Sequence, residues 1–307
     1  MVNRVKVWLV DLVLGLSLAA PVAAGPLEDA TAAYHRGDYA TVLRLLRPLA
    51  EQGSAPAQVH LGGMYENGWG VPRDYSEAMR WYRKAAEQGN ALAQFKLGDM
   101  YDTGRGVPQD YAEAMTWYRK AAAQGNAYAQ TNLGGLYEKG QGVPQDYAKA
   151  VRWFRKAAEQ GDGLAQNAVG VMYAAGRGVP HDDAEAVRWF RKAAVQGLAL
   201  AQAHLGFSYA TGRGVPQDDA QAVDWFRKAA EQDLAEAQRN LGLMYAAGAG
   251  VPQDYVQAHM WFSLAAAGSL GSELAQKAIS NRDRVAAEMT AEQIVEAERL
   301  AREWKPK

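Results

Sequence analysis

Histidines and serines are the residues of this chain best suited to chemistry, because one can hold a metal or move a proton and the other can attack a carbonyl. The five histidines, His35, His60, His181, His204 and His259, are scattered, and His60 and His204 lie 144 positions apart. No metal site is predicted from them. A serine acyl-transfer centre of the β-lactamase kind carries a lysine one helical turn after the nucleophile, yet none of the eight serines stands in Ser-x-x-Lys. The zinc pattern His-Glu-x-x-His, the phosphate loop Gly-x-x-x-x-Gly-Lys-[Ser/Thr] and the nucleophile elbow do not occur. Cysteine is missing altogether, which removes thiolate nucleophiles, thiolate metal ligands and disulfides. The expectation is a chain with no catalytic residue and no cofactor.

Charge and hydropathy narrow the class further. Lys and Arg total 33 against 34 Asp and Glu, a net charge of −1, so there is no excess to hold a polyanion and no nucleic-acid partner is expected. With 49% hydrophobic and 22% charged residues the chain has the composition of a folded protein. No apolar run after residue 30 reaches the length that spans a membrane. Ahead of it, Arg4 and Lys6 precede the apolar run Leu12 to Ala20, and Val22-Ala23-Ala24 offers small residues for a signal peptidase. Residues 1–24 therefore read as a signal peptide, cleaved before Gly25, which predicts a periplasmic or secreted protein with no membrane span in the mature chain. An uncleaved anchor is the other reading of that segment.

What must position any site is a repeat. Val71-Pro72-Arg73-Asp74-Tyr75 recurs as Val-Pro-x-Asp-[Tyr/Asp] at Val107, Val143, Val179, Val215 and Val251, always 36 residues on. Each copy leads into an aromatic pair, from Trp81-Tyr82 to Trp261-Phe262, and six of the nine tryptophans share this period. A second landmark, Ala57-Gln58-x-x-Leu61-Gly62-x-Met64-Tyr65, recurs from Ala93, Ala129, Ala165, Ala201 and Ala237.

Each unit thus holds two helical segments. In helix A, Ala57, Leu61, Met64 and Tyr65 share one arc and positions 59, 63 and 66 the opposite one. In helix B, Tyr75, Ala78, Met79, Trp81, Tyr82, Ala85 and Ala86 form an apolar face, so the tryptophan ladder, Trp153 included, reads as core. The Arg-Lys pairs from Arg83-Lys84 to Arg227-Lys228 fall on the other side and read as a solvated face. Asp74 and Glu77 have the spacing of a capping box for helix B. Gly68 and Gly70 read as turn residues, and Pro72 prevents helix A from resuming. Gly62 costs its helix about 1 kcal/mol relative to alanine, so its recurrence predicts a neighbouring helix packed close to the backbone. Helix pairs this short bury both faces only by stacking on further copies.

Ala-Gln-x-x-Leu-Gly-x-Met-Tyr, then Gly-x-Gly-Val-Pro-x-Asp, then Ala-x-x-Trp-[Tyr/Phe]-Arg-Lys-Ala-Ala-Glu-Gln-Gly together resemble the Sel1-like repeat, a relative of the tetratricopeptide repeat. The domain reading is a leader at 1–24, an N-terminal capping helix pair at 25–53, six repeats at 54–268 and C-terminal capping helices at 269–307, where Thr290 and Gln293 have capping-box spacing. The resemblance implies an all-α, right-handed α-solenoid of stacked helix pairs, with helices A lining a concave surface. It also implies a protein-protein interaction scaffold or adaptor with a protein or peptide partner, rather than an enzyme. Some secreted, cysteine-rich relatives bind or slowly hydrolyse β-lactams, which leaves a weak β-lactam-binding or hydrolysing protein as one alternative. A peptidoglycan or glycan binder of the cell envelope is another.

Residues that vary from unit to unit on the helix A stripe opposite the core are the candidate partner-binding residues. These are Glu66, Phe95, Asp99, Asp102, Glu138, Val171, Phe207, Arg239 and Leu243. The first three units carry the acids and the last three present Val171, Phe207 and Leu243 with no acid, which predicts a partner with a basic segment followed by an apolar one. Phe95 and Phe207 are expected to be exposed anchors, since aromatic residues concentrate interface energy.

Overall fold

A computed structural model of the protein describes residues 25–306. The leader and its cleavage point lie outside the described residues. Among those residues there are sixteen helices and no strand, and the chain divides into two compact units. The first contains α1 (Pro26–His35), α2 (Tyr39–Glu51), α3 (Ala55–Asn67), α4 (Tyr75–Glu87), α5 (Ala91–Thr103) and α6 (Tyr111–Ala123). The boundary falls within α7 (Ala127–Lys139), and the second unit continues with α8 (Tyr147–Glu159), α9 (Gly163–Ala175), α10 (Asp183–Val195), α11 (Ala199–Thr211) and α12 (Asp219–Ala230). It ends with α13 (Ala235–Ala247), α14 (Tyr255–Gly268), α15 (Glu273–Ala286) and α16 (Ala291–Glu303). Each unit stacks helix pairs in chain order, the arrangement of an all-α solenoid.

The helix ends are set by local chemistry. Asp74 and Asp110 each accept hydrogen bonds from two backbone N–H groups of the following first turn. Glu77 does not complete a box with Asp74. Its carboxylate accepts instead from Arg80, 2.7 Å away, because a basic residue one turn on competes for it. At α16 the reciprocal box is complete, with the Thr290 hydroxyl and the Gln293 side chain each serving the other's backbone. Helices A end at a left-handed glycine, such as Gly68 at φ +73° and Gly104 at φ +68°.

The closest contact inside a pair is the one Gly62 foreshadows. A Cβ on Gly62 would lie 2.7 Å from the Tyr82 ring, and one on Gly134 or Gly170 would lie 2.5 Å from Phe154 or Phe190. Helix A therefore offers bare backbone to the second aromatic of helix B, which is the most buried ring of the unit. Tyr82, Tyr118 and Phe262 are among the largest side chains with essentially no exposure. The tryptophans are a mixed set. Trp81, Trp189 and Trp261 are buried, whereas Trp117, Trp153 and Trp225 are half-buried. Lysines cover both kinds: Lys156 sits 4.6 Å from the Trp153 ring and Lys192 4.0 Å from Trp189.

Successive pairs are tied by polar residues at fixed register. The Gln94 amide donates to the carbonyl of Ala86 at the end of α4, which also accepts from the Gly89 N–H, and Gln124 donates to the Gln94 side chain. In the second unit Gln202 does the same for Ala194 and accepts from Gln232. Arginines of helix B donate to a tyrosine hydroxyl of the next helix A, as in Arg83 to Tyr101 and Arg191 to Tyr209. The arginines are thus not simply solvated, because the tyrosine that ends each helix A turn brings an acceptor within reach. In the final repeat Ser263 and Leu264 replace Arg-Lys, and Leu264 packs on an apolar cluster that also takes Trp304.

Candidate functional site

Little of helix A is fully exposed. Val59, Phe95 and Ala203, which the helical arc of positions 59, 63 and 66 puts opposite the core, are 8%, 9% and 7% exposed. The reason is that helix A packs against helix B of its own repeat and of the one before, so its apolar surface is two-sided and a single amphipathic stripe does not describe it. Phe95 is accordingly not an exposed anchor. It lies against Tyr118 and Tyr128 with ring centroids 6.0 and 5.8 Å away.

In the first unit the predicted acids are already engaged. The Glu66 carboxylate accepts from the Tyr82 hydroxyl at 2.6 Å and from the Lys96 ammonium at 3.0 Å, with the Arg105 guanidinium 3.6 Å away. Glu66 and Lys96 side chains keep only 10% and 11% of their exposure. Arg105 also reaches Asp99 at 3.7 Å. Asp102 accepts from the Tyr118 hydroxyl, which accepts in turn from the Asn132 amide. Burial, reinforced by these carboxylates, holds the Tyr82 and Tyr118 hydroxyls well above the usual phenol range, so both remain protonated donors. The acids thus complete a folded network, and the basic half of the predicted ligand loses its counter-charges at Glu66 and Asp99.

The second unit is built differently at the same register. Between α9 and α11 a cleft of about 240 Å³ opens over Ala186 and Phe190 of α10. Val171 and Ala174 form one wall, His204 and Phe207 the other, and Arg213 stands at its edge. Phe207 is 44% exposed, and the Arg213 guanidinium lies 5.4 Å from its ring centroid. The His204 ring packs on Phe190 at 4.7 Å and its Nδ1 is 2.9 Å from Asn167 Oδ1. Burial holds His204 below the usual histidine range, so it is neutral at pH 7. Asp183 also lines the cleft, with its carboxylate 3.3 Å from His181 Nε2.

Of the predicted residues, Val171 and Phe207 come together here. The other three of the second unit do not join them. Glu138 is half-buried and its carbonyl accepts from Gln145. Arg239 is half-buried, with one guanidinium nitrogen 3.4 Å from Asn240 Oδ1. Leu243 packs against the cluster of Ala258, Phe262 and Val285. Ala174 lies on the same stripe, at the position of Glu66, and sequence reasoning missed His204 and Arg213. Ala174 and His204 differ in chemistry from Glu66 and Lys96, their counterparts three periods earlier, whereas Arg213 has the same type as Arg105 and gave no such signal.

Among the described residues no helix is long and apolar enough to cross a membrane. No curated protein matches the chain. Among solved structures, a Sel1 repeat protein from Oxalobacter formigenes is 38% identical over 78% of this chain and 98% of its own, with a TM-score of 0.73. A protective antigen of uropathogenic Escherichia coli is 33% identical over 91% of this chain and 76% of its own, with a TM-score of 0.40. The cysteine rich protein B of Helicobacter pylori is 26% identical over 42% of this chain and 92% of its own, with a TM-score of 0.35. The Sel1 repeat matches six times in succession, at residues 55–90, 91–126, 127–162, 163–198, 199–234 and 235–270. The chain therefore belongs to the Sel1 repeat family.

Proposed function

We propose that this Sel1 repeat protein is a non-enzymatic interaction scaffold that holds a partner protein through an apolar side chain seated between α9 and α11. The α9–α11 cleft carries this reading: a concave apolar wall with a partly exposed phenylalanine at its rim and few polar groups is the form of a recognition pocket. The fold class supports a scaffold, since stacked helical repeats present side chains on fixed registers without a catalytic constellation. Phe207→Ala is expected to lower partner capture at least tenfold, while the thermal midpoint moves little because the ring already faces water. Pull-down and thermal melts on the same preparation check this. Undiminished capture would eliminate the cleft.

We further propose that the protein works in the periplasm or outside the cell, on the basis of Arg4, Lys6 and the apolar run that follows them. N-terminal sequencing of the exported protein is expected to begin at Gly25. A mature chain retaining Met1, or a reporter fused after residue 30 that stays cytoplasmic, would contradict it.

A further inference from the structure

The two units answer the same structural position in opposite ways, and the difference identifies what the cleft lacks. In the first unit Glu66 gathers Tyr82, Lys96 and Arg105 around its carboxylate, and Arg105 takes Asp99 as a second acid. Three periods of 36 residues on, these five positions are Ala174, Phe190, His204, Arg213 and Phe207. All five line the cleft. The two acids have been replaced by Ala174 and Phe207, and the phenol that donated to the first has lost its hydroxyl at Phe190. The arginine has been kept. Among the described residues no carboxylate forms an ion pair with Arg213, and Asp183, the acid at the same cleft, faces His181. The cleft is therefore the space of a deleted glutamate with one of its cations still in place.

We propose that this space takes the free C-terminal carboxylate of a partner chain, paired with Arg213, while the apolar side chain of that same last residue fills the cleft against Val171, Phe190 and Phe207. The proposal rests on reading the cleft as the partner site and specifies what enters it. Charge complementarity calls for an anion, because a guanidinium beside an apolar wall gains most from a bidentate one, and a carboxylate is the anion that the counterpart Arg105 takes at Glu66. Size restricts where that carboxylate can come from. At about 240 Å³ the cleft is below the roughly 300–1,000 Å³ of ordinary small-molecule sites, and suits one residue. In an extended segment neighbouring side chains point to opposite faces, so an internal acid and an adjacent apolar side chain cannot both enter. At a chain end the carboxylate and the side chain leave one Cα together.

The test uses the whole protein and three probes: N-acetyl-Gly-Gly-Leu, its C-terminal amide, and the internal-acid peptide N-acetyl-Gly-Glu-Leu-Gly-amide. NMR shifts of the His204 and Phe207 rings report binding at the cleft. The free acid is expected to bind about tenfold or more tightly than the amide, as a charge-assisted pair implies, and the internal-acid peptide no better than the amide. Arg213→Gln is expected to erase the difference between acid and amide. Arg177→Gln, in the exposed loop one period earlier, is expected to preserve it. Equal binding of acid and amide would overturn the carboxylate assignment and leave the apolar cleft standing. Equal binding of the internal-acid peptide and the free acid would overturn the C-terminal source. If none of the probes moves either ring, the cleft reading falls together with the proposal.

Discussion

Truncating Phe154 to alanine is expected to destabilise the second unit by about 3–5 kcal/mol, as for the removal of a buried aromatic ring. The ring is 3% exposed and stands where a Cβ on Gly134 would come within 2.5 Å. The informative experiment pairs this truncation with Gly134→Ala. In the wild-type background the added methyl collides with the ring, and overpacking costs about 1–3 kcal/mol, more than the about 1 kcal/mol that alanine gains in a helix. In the Phe154→Ala background there is no ring to meet, so the same methyl is expected to stabilise by that helix-propensity amount. Urea melts of the four proteins give the cycle directly. A Gly134→Ala effect of the same sign and size in both backgrounds would mean that the glycine is not kept by contact with the ring. Trp153→Ala is expected to cost less than Phe154→Ala, since Trp153 is only half-buried.

The second large effect concerns the ion pair in the first unit. Lys96→Met is expected to cost about 3 kcal/mol, the lower end of the range for breaking a buried pair, because the neighbouring Arg105 still serves Glu66 and is 43% exposed. Adding Glu66→Gln to it is expected to recover more than half of that loss. The neutral amide needs no counter-ion, and its oxygen can still accept from Tyr82. Thermal or denaturant unfolding measures both. A neutral Lys96→Met would show that water already solvates the pair, and with it would go the argument that these acids are occupied by the fold.

How far the sequence could be read depends on whether a feature is local. The helix pairs, the left-handed Gly68, the Thr290 box and the Gly62 contact follow from residues within one period, and each is found where the spacing puts it. The faces of helix A were not legible. Phe95 is flanked by packing from two repeats, and a hydrophobic pattern with partners on both sides looks the same as one with a single partner. The Glu66–Lys96 pair was hidden for a related reason. Its members are 30 residues apart in different repeats, and their types recur nowhere else together. The cleft was half legible. Val171, Ala174 and Phe207 lie on the stripe found by asking which positions vary, but His204 and Arg213 emerge only when residues are compared along contacts.

The glycine-to-ring joints also govern how such a gene can change. Each joint is made of partners at a constant offset, Gly62 with Tyr82 and Gly134 with Phe154 alike. A recombination event that copies or drops one whole 36-residue segment leaves every partner facing an equivalent residue. Slippage by any other length breaks a joint whenever its seam falls between a glycine and its ring. Lengthening is thus cheap in whole periods and costly where a seam enters a joint, whereas a recognition site such as Ala174 with Phe207 arises by ordinary point substitution on a register that recombination leaves alone.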